Sequence, residues 1–317
     1  NNPEEIGIYV SNQTDLELFR LAKQYDKNSW QYAVIMNNGR DYISNLNYEK
    51  YQNHDDEELA IVQAKYDEFI KRLNENDWRK FAEEELENAK QNATLIQDDD
   101  MMNIELEKAQ MRLDYNIEYG NNYKNEALSR YSSSKMQIAN YEQNTENRKY
   151  YEQKSYQEAK EDMEKALYAI KNDKDILNNS NLRGTLLDMF SSYELFIIIT
   201  VVLIAGAIVS EEFNKGTIKL LLVRPYRRTK ILFAKFIVVM LTIIFIMLAV
   251  GIMQFIVGGI FFGFDSLSIP AIEYNHNTGS IVEMNLLQGI LLNALGRLPI
   301  YILIGTLSFA ISSILQQ

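Results

Sequence analysis

Two carboxylates, a polar turn, a short apolar run and a cluster of cations follow one another in Ser210–Phe236, SEEFNKGTIKLLLVRPYRRTKILFAKF. These residue types at this spacing suit docking rather than bond-making. Glu211 and Glu212 open the segment, and Asn214-Lys215-Gly216 predicts a turn. Thr217–Val223 then reads as a helix too short to span a bilayer and too apolar to stay bare. Arg224-Pro225 ends it, because proline disfavours helix at the residue before it. Arg227, Arg228 and Lys230 stand at lipid-headgroup level, and Thr229 can cap the helix that follows. On the residues alone two readings are even. The short helix fits a groove of a protein partner, or it lies on lipid as an interfacial helix.

Elsewhere, side chains that could do chemistry are sparse. There is no cysteine, which excludes disulfides, thiolate nucleophiles and Cys-ligated metal. His54 and His276 are the two histidines, too few and too far apart for a histidine triad or a His-rich metal site. Asp98-Asp99-Asp100 lacks the glycine and bidentate glutamate of a calcium loop and reads as a solvated turn. No phosphate-cradling glycine motif ending in Lys-Ser or Lys-Thr is found, and the acidic balance argues against nucleic acid. No acid/base or nucleophile pair stands out. The expectation is no catalytic residue, no metal site and no cofactor held by this chain.

Charge divides the 317 residues. The first 190 hold 24 Lys and Arg against 37 Asp and Glu, a net of −13, while 191–317 hold 8 against 6, a net of +2. Three apolar runs occupy the second part, predicting membrane spans at about 193–210, 231–260 and 298–315. Leu286–Arg297 is amphipathic and is expected at the interface or as a re-entrant piece. Between the first two runs lie Lys215, Lys219, Arg224, Arg227, Arg228 and Lys230; Asp265–Asn285 contains no Lys or Arg. Cytoplasmic loops concentrate Lys and Arg, so 211–230 is expected inside and 1–190 outside. Placing 1–190 outside needs a spanning helix ahead of Asn1, and Gln317 falls at the end of a span, so sequence is expected beyond both ends. Arg297, just before Leu298-Pro299, is expected to snorkel to the outer headgroups as an anchor rather than mark a pathway. Gln288 and Asn293 upstream could line a polar face.

The first 190 residues read as helical. From Asp56 to Asp173 there is no proline and a single glycine, Gly120. Leu59, Val62, Tyr66, Phe69, Ile70 and Leu73 recur at helical steps, as do Tyr156, Ala159, Met163, Ala166, Leu167 and Ile170. Breaks are expected at Asn74–Asp77, Asp98–Asp100, Gly120–Asn122 and Asn144–Asn147, giving a hairpin or coiled-coil stalk. Ile6-Gly7-Ile8-Tyr9-Val10 is a possible strand. Of 20 tyrosines, 16 precede Ser191, and they are expected to pack helices while their hydroxyls meet water.

The run from Ser210-Glu211-Glu212-Phe213 through Lys215-Gly216-Thr217-Ile218-Lys219, Leu220–Leu222 and Arg224-Pro225 to Arg228-Thr229-Lys230-Ile231 resembles the hallmark of ABC-2 type permeases, the membrane subunits of bacterial ATP-binding-cassette exporters. The resemblance implies an all-α, polytopic membrane protein with a large, mostly helical extracytoplasmic domain, lying in the bacterial plasma membrane. The spans present would be the second, third and fourth of six. Implied partners are an ATPase subunit carrying ATP and Mg, a second permease copy or paralogue, and membrane lipids. By the same resemblance Glu211–Val223 would seat in a groove of the ATPase. Glu211 and Glu212 would meet its cations, and Phe213, Lys215 and Thr217 would belong to the docking element. Gly216 would permit the turn, and Ile218, Leu221 and Val223 would supply buried contact. Arg224, Arg227, Arg228, Lys230 and Arg297 would hold lipid phosphate. The rival expectation is a membrane-anchored outer stalk serving as receptor or secretion scaffold, without ATPase coupling.

Overall fold

The computed structural model describes residues 3–52, 56–95, 99–143, 150–214 and 228–314, and they are mostly helical. They form two compact units: 1–177 with 274–281, and 178–273 with 282–317.

Among the described residues the first unit contains eight helices. α1 (Pro3–Ala22) is followed by the short α2 (Trp30–Val34), a π-helical turn at Ile35–Gly39, and α3 (Arg40–Gln52). Then come α4 (Asp56–Asn74), α5 (Arg79–Leu95), α6 (Asp100–Asp114), α7 (Tyr123–Gln143) and α8 (Tyr150–Asn172). The expected strand at Ile6–Val10 is instead the start of α1. Val10, Thr14, Leu18 and Ala22 are all buried while Asn12 and Leu16 between them are exposed, a pattern that fits one face of a helix and not a strand, which would align alternate residues. Ile8 and Tyr9, which a strand would have used, are 65% and 49% exposed. Packing of the stripe overrides the local β preference of the run.

The core of this unit gathers Leu18, Trp30, Val34, Ile35, Ile43, Phe69, Leu73 and Phe81. Phe69 and Leu73 come from the periodic run expected in α4, and Ala159, Ala166 and Ile170 of the α8 run are likewise buried. The break at Asn74–Asp77 is present: Asn76 has φ 55°, and Asp77 Oδ1 accepts from Arg79 N at 3.1 Å. Asp99 caps α6, its carboxylate accepting from Met101 N at 2.8 Å and Met102 N at 3.3 Å. The break at Gly120–Asn122 is also present. Gly120 holds φ +107°, and a Cβ there would stand 2.8 Å from Asn28 O, so only glycine fits. Asp98 and Asn144–Asn147, where further breaks were expected, lie outside the described residues.

Many tyrosines do pack with a satisfied hydroxyl, but the partner is a carboxylate. Tyr119 Oη donates to Glu85 at 2.6 Å, Tyr131 Oη to Glu107 at 2.8 Å, and Tyr123 Oη to Asp173. Burial, then the neighbouring carboxylate, raises all three hydroxyls above their ordinary value near 10. The folded chain therefore holds these protons more tightly than the unfolded chain. Their contribution is intact below pH about 10 and is lost as pH climbs through the raised range. The helical melting temperature should thus fall steeply above pH about 10, and Tyr131→Phe, which removes one titrating group, should flatten that fall in melts followed by circular dichroism.

In the second unit, α9 (Leu182–Ser192) and α10 (Glu194–Asn214) meet at a 45° bend. Among the described residues, α11 (Arg228–Phe262) and α12 (Leu286–Ile314) are the two helices long and apolar enough to cross a membrane, and the bent pair α9–α10 is a third if it is counted as one span. Between α11 and α12 a 3-10 turn, Asp265–Ser268, precedes a hairpin of β1 (Ala271–Asn275) and β2 (Ser280–Met284). α12 begins at Leu286, so the amphipathic piece expected at the interface or as a re-entrant segment is the first part of one continuous helix running through Pro299. Proline is tolerated in apolar helices where neighbouring groups satisfy the backbone it frees. Ile197, Val201 and Ala205 of α10, Val239, Ile243 and Met247 of α11, and Tyr301 and Phe309 of α12 form the shared core.

Candidate functional site

The expected docking element divides at the edge of what is described. Glu211, Glu212 and Phe213 fall in the last turns of α10, and Arg228 and Lys230 in the first turn of α11, where Lys230 is exposed. Lys215, Gly216, Thr217, Ile218, Leu221, Val223, Arg224 and Arg227 lie outside the described residues. The two helices that flank the element are tied together near it. Lys235 Nζ donates to Ile208 O at 3.2 Å, placing a cation toward the carbonyl end of α10, where the helix dipole favours it.

Arg297, expected as a headgroup anchor, has protein partners as well. Its Nη1 donates to Glu194 Oε2 at 2.7 Å and its Nη2 to Ser191 Oγ at 3.1 Å, on the two sides of the α9–α10 bend. α12 also donates to backbone carbonyls of α9 ahead of the bend. Asn293 Nδ2 donates to Leu187 O at 2.9 Å, and the buried Tyr301 donates to Phe190 O at 3.0 Å. α11 adds Gln254, which accepts from Tyr193 Oη at 3.1 Å. Farther along, Ser308 Oγ donates to Val202 O and Ser312 Oγ to Gly206 O, both at 3.0 Å.

Asn293, Arg297, Tyr301, Gly305, Ser308 and Ser312 are therefore one stripe of α12, spaced by three or four residues, and all of it faces the bent pair. Gly305 carries no donor but lets the helices close: a Cβ there would lie 3.0 Å from Ile243 Cδ1 and 3.2 Å from Val201 Cγ1. Small and polar residues at such a seam hold apolar helices together where no hydrophobic force between helices operates. The four-residue spacing of Asn293, Arg297 and Tyr301 is visible in the sequence, and the polar face suspected at Asn293 is real. Gln288 serves otherwise, its Oε1 accepting from Asn285 N at 3.1 Å as a cap on α12. Nothing in the stripe pairs a nucleophile with a base. Its chemistry is cohesion.

Residues 156–317, half of the chain, match the model of a family described as Protein of unknown function (DUF2705). The chain belongs to the DUF2705 family. The matched region takes in most of α8 and every helix from α9 to α12, so the whole stripe lies within the DUF2705 portion. Among relatives, "Uncharacterized protein YhcI" of Bacillus subtilis is 32% identical over 116 residues, 37% of this chain and 37% of the relative. "Uncharacterized membrane protein YdbK" of the same organism is 35% identical over 97 residues, 31% of this chain and 39% of the relative. The chain thus spans well under half the length of these relatives. No solved structure matches.

Proposed function

We propose that this DUF2705 chain is the permease subunit of an ATP-binding-cassette exporter in a bacterial plasma membrane. It moves a peptide, an antimicrobial or another small amphiphile with energy from a separate ATPase subunit. The observation that carries this reading is the unequal charge of the two connections between span-length helices. Four Lys and Arg lie in 215–227, between α10 and α11, and Arg228 and Lys230 follow in the first turn of α11, while none lies in 265–285, between α11 and α12. That pattern supports a reading in which 211–230 is cytoplasmic and the acidic residues ahead of the α9–α10 pair are outside. Apolar side chains turned outward, among them Leu203, Phe245, Leu248, Ile260, Leu295 and Leu303, support a lipid setting, since a water-exposed surface of that kind is rare.

On this reading the ATPase grips Glu211–Val223, with Gly216 at the turn and Leu221 in the buried contact. Closure of the ATPase on ATP and Mg drags that element and therefore the adjoining ends of α10 and α11. The Lys235–Ile208 tie and the α12 stripe pass the displacement to all three helices. Lipid phosphate meets Arg224, Arg227, Arg228 and Lys230, and a second permease copy or paralogue completes the pathway. The test is purification of the native assembly through this chain. Vanadate-sensitive ATP hydrolysis is expected in it, and Gly216→Trp or Leu221→Asp should lower recovery of the ATPase several-fold. Recovery of both variants with an unchanged ATPase complement would overturn the docking role. An assembly with no ATPase at all would favour an anchored receptor or secretion scaffold.

A further inference from the structure

A cleft of about 850 Å³ opens in the first unit between α3, α4, α5 and α6, within the size range of ligand sites. It is lined by five asparagines, Asn37, Asn38, Asn45, Asn88 and Asn92, and by Tyr42. Asn37 and Asn38 sit on the π-helical turn Ile35–Gly39, a rare backbone form that recurs at functional sites. The turn is held from behind by packing: the position of a Cβ on Gly39 is 3.3 Å from Leu18 Cδ1 and 3.5 Å from Phe69 Cζ. Tyr42 stacks on Phe69 with ring centroids 4.6 Å apart and planes at 17°, so one face of its ring is backed by the core.

The wall carries five carboxylates, Asp41, Glu68, Glu84, Glu85 and Glu105, against Lys65 and Arg72, and the neighbouring Arg112 and Lys108 reduce the excess to one negative charge. Arg72 binds Glu68 at 2.6 Å and Glu84 at 2.5 Å, Glu85 faces Arg112 at 3.4 Å, and Glu105 holds Lys108 at 3.0 Å. Asp41 and Lys65, one of each sign, are the lining charges without an ion pair among the described residues. The remaining excess is a single negative charge, which disfavours a polyanion. What remains is five side-chain amides, none of them hydrogen-bonded to protein among the described residues, beside an aromatic ring. An amide sets a donor next to an acceptor, the complement of neighbouring hydroxyl groups. The ring offers a flat apolar face to the C–H side of a sugar.

We propose that this cleft binds a neutral oligosaccharide. The site lies wholly within residues 37–105 and does not rest on the transport reading.

The full chain in lipid nanodiscs, studied by saturation-transfer difference NMR, tests it with chitotetraose as the sugar and tetralysine as a cationic peptide of similar length. Transfer to the sugar ring protons and none to tetralysine is expected. Asn37→Ala with Asn88→Ala should weaken sugar binding by about tenfold or more, as two lost hydrogen bonds require. Both side chains are exposed, so the melting temperature should hold and a folding defect will not mimic the result. Tyr42→Leu should abolish transfer to the C–H face. Retention on insoluble chitin as well as binding of chitotetraose would identify a fixed glycan as the ligand's source, and binding without retention a soluble sugar. Absence of transfer at millimolar chitotetraose, transfer to tetralysine instead, or equal sugar binding by the double asparagine variant would overturn the proposal.

Discussion

Arg297→Leu should strip the second unit of most of its folded yield, and Glu194→Gln on top of it should restore a large part. The ion pair stands among apolar side chains and bridges α12 to the bend, with the two side chains 36% and 29% exposed. Removing the guanidinium leaves Glu194 and Ser191 without their donor. A charged group left unsatisfied costs about 3 kcal/mol when fully enclosed, and partial access to water reduces this to about 2 kcal/mol. Neutralising the carboxylate removes that penalty while leaving the bend, Asn293 and Tyr301 in place. Thermal unfolding of the four proteins of the cycle, purified in one detergent, gives the coupling directly. If the double variant is as unstable as the sum of the singles, the pair is incidental and the stripe is held by its neutral members.

Gly184→Ala is expected to be the most damaging single methyl in the second unit. A Cβ at 184 would lie 2.5 Å from Asn179 Cα and 2.6 Å from Asn179 O, both backbone atoms that no rotamer change can move. Relief requires the strand of chain ahead of α9 to lift. That chain carries the Asn181 cap, whose Oδ1 accepts from Gly184 N at 2.8 Å. Next to it, buried Arg183 donates from Nε to Pro270 O at 2.9 Å and from its backbone N to Ser266 Oγ at 3.1 Å. Overpacking and a lost cap together cost about 2–4 kcal/mol. Gly296→Ala is the matched control. Nothing lies within 4 Å of a Cβ there, and relief of glycine's backbone entropy should leave it neutral or slightly stabilising. Equal melting temperatures for the two alanine variants would show that the contact at Asn179 yields freely.

Much of this architecture was legible because helical spacing survives in α4 and α8, and because Asn74–Asp77 and Gly120–Asn122 carry residues that tolerate left-handed backbone. The strand reading at Ile6–Val10 failed where a stripe beginning at Val10 extends beyond the window that suggested it. The hairpin Ala271–Met284 was passed over as a connecting loop, although Asn275 to Gly279 carries the turn chemistry: Asn275 Oδ1 accepts from Asn277 N at 2.9 Å and Gly279 has φ +64°. The bend at Tyr193 has neither proline nor glycine to announce it. Its partners are donors on α12, more than a hundred residues away, and such partners leave no local trace. Arg297 was noticed for its charge, but its role depended on Glu194, which sequence distance concealed. The docking segment was prominent for its composition, and its residues from 215 to 227 lie outside the described structure.

The seam between the bent pair and α12 joins residues 103 to 111 positions apart. During synthesis, Glu194 and the carbonyls of Leu187 and Phe190 therefore emerge long before the ribosome has made the arginine, asparagine and tyrosine that receive them. For that interval α9 and α10 lack these partners, and Glu194 holds its charge without the guanidinium until α12 is made.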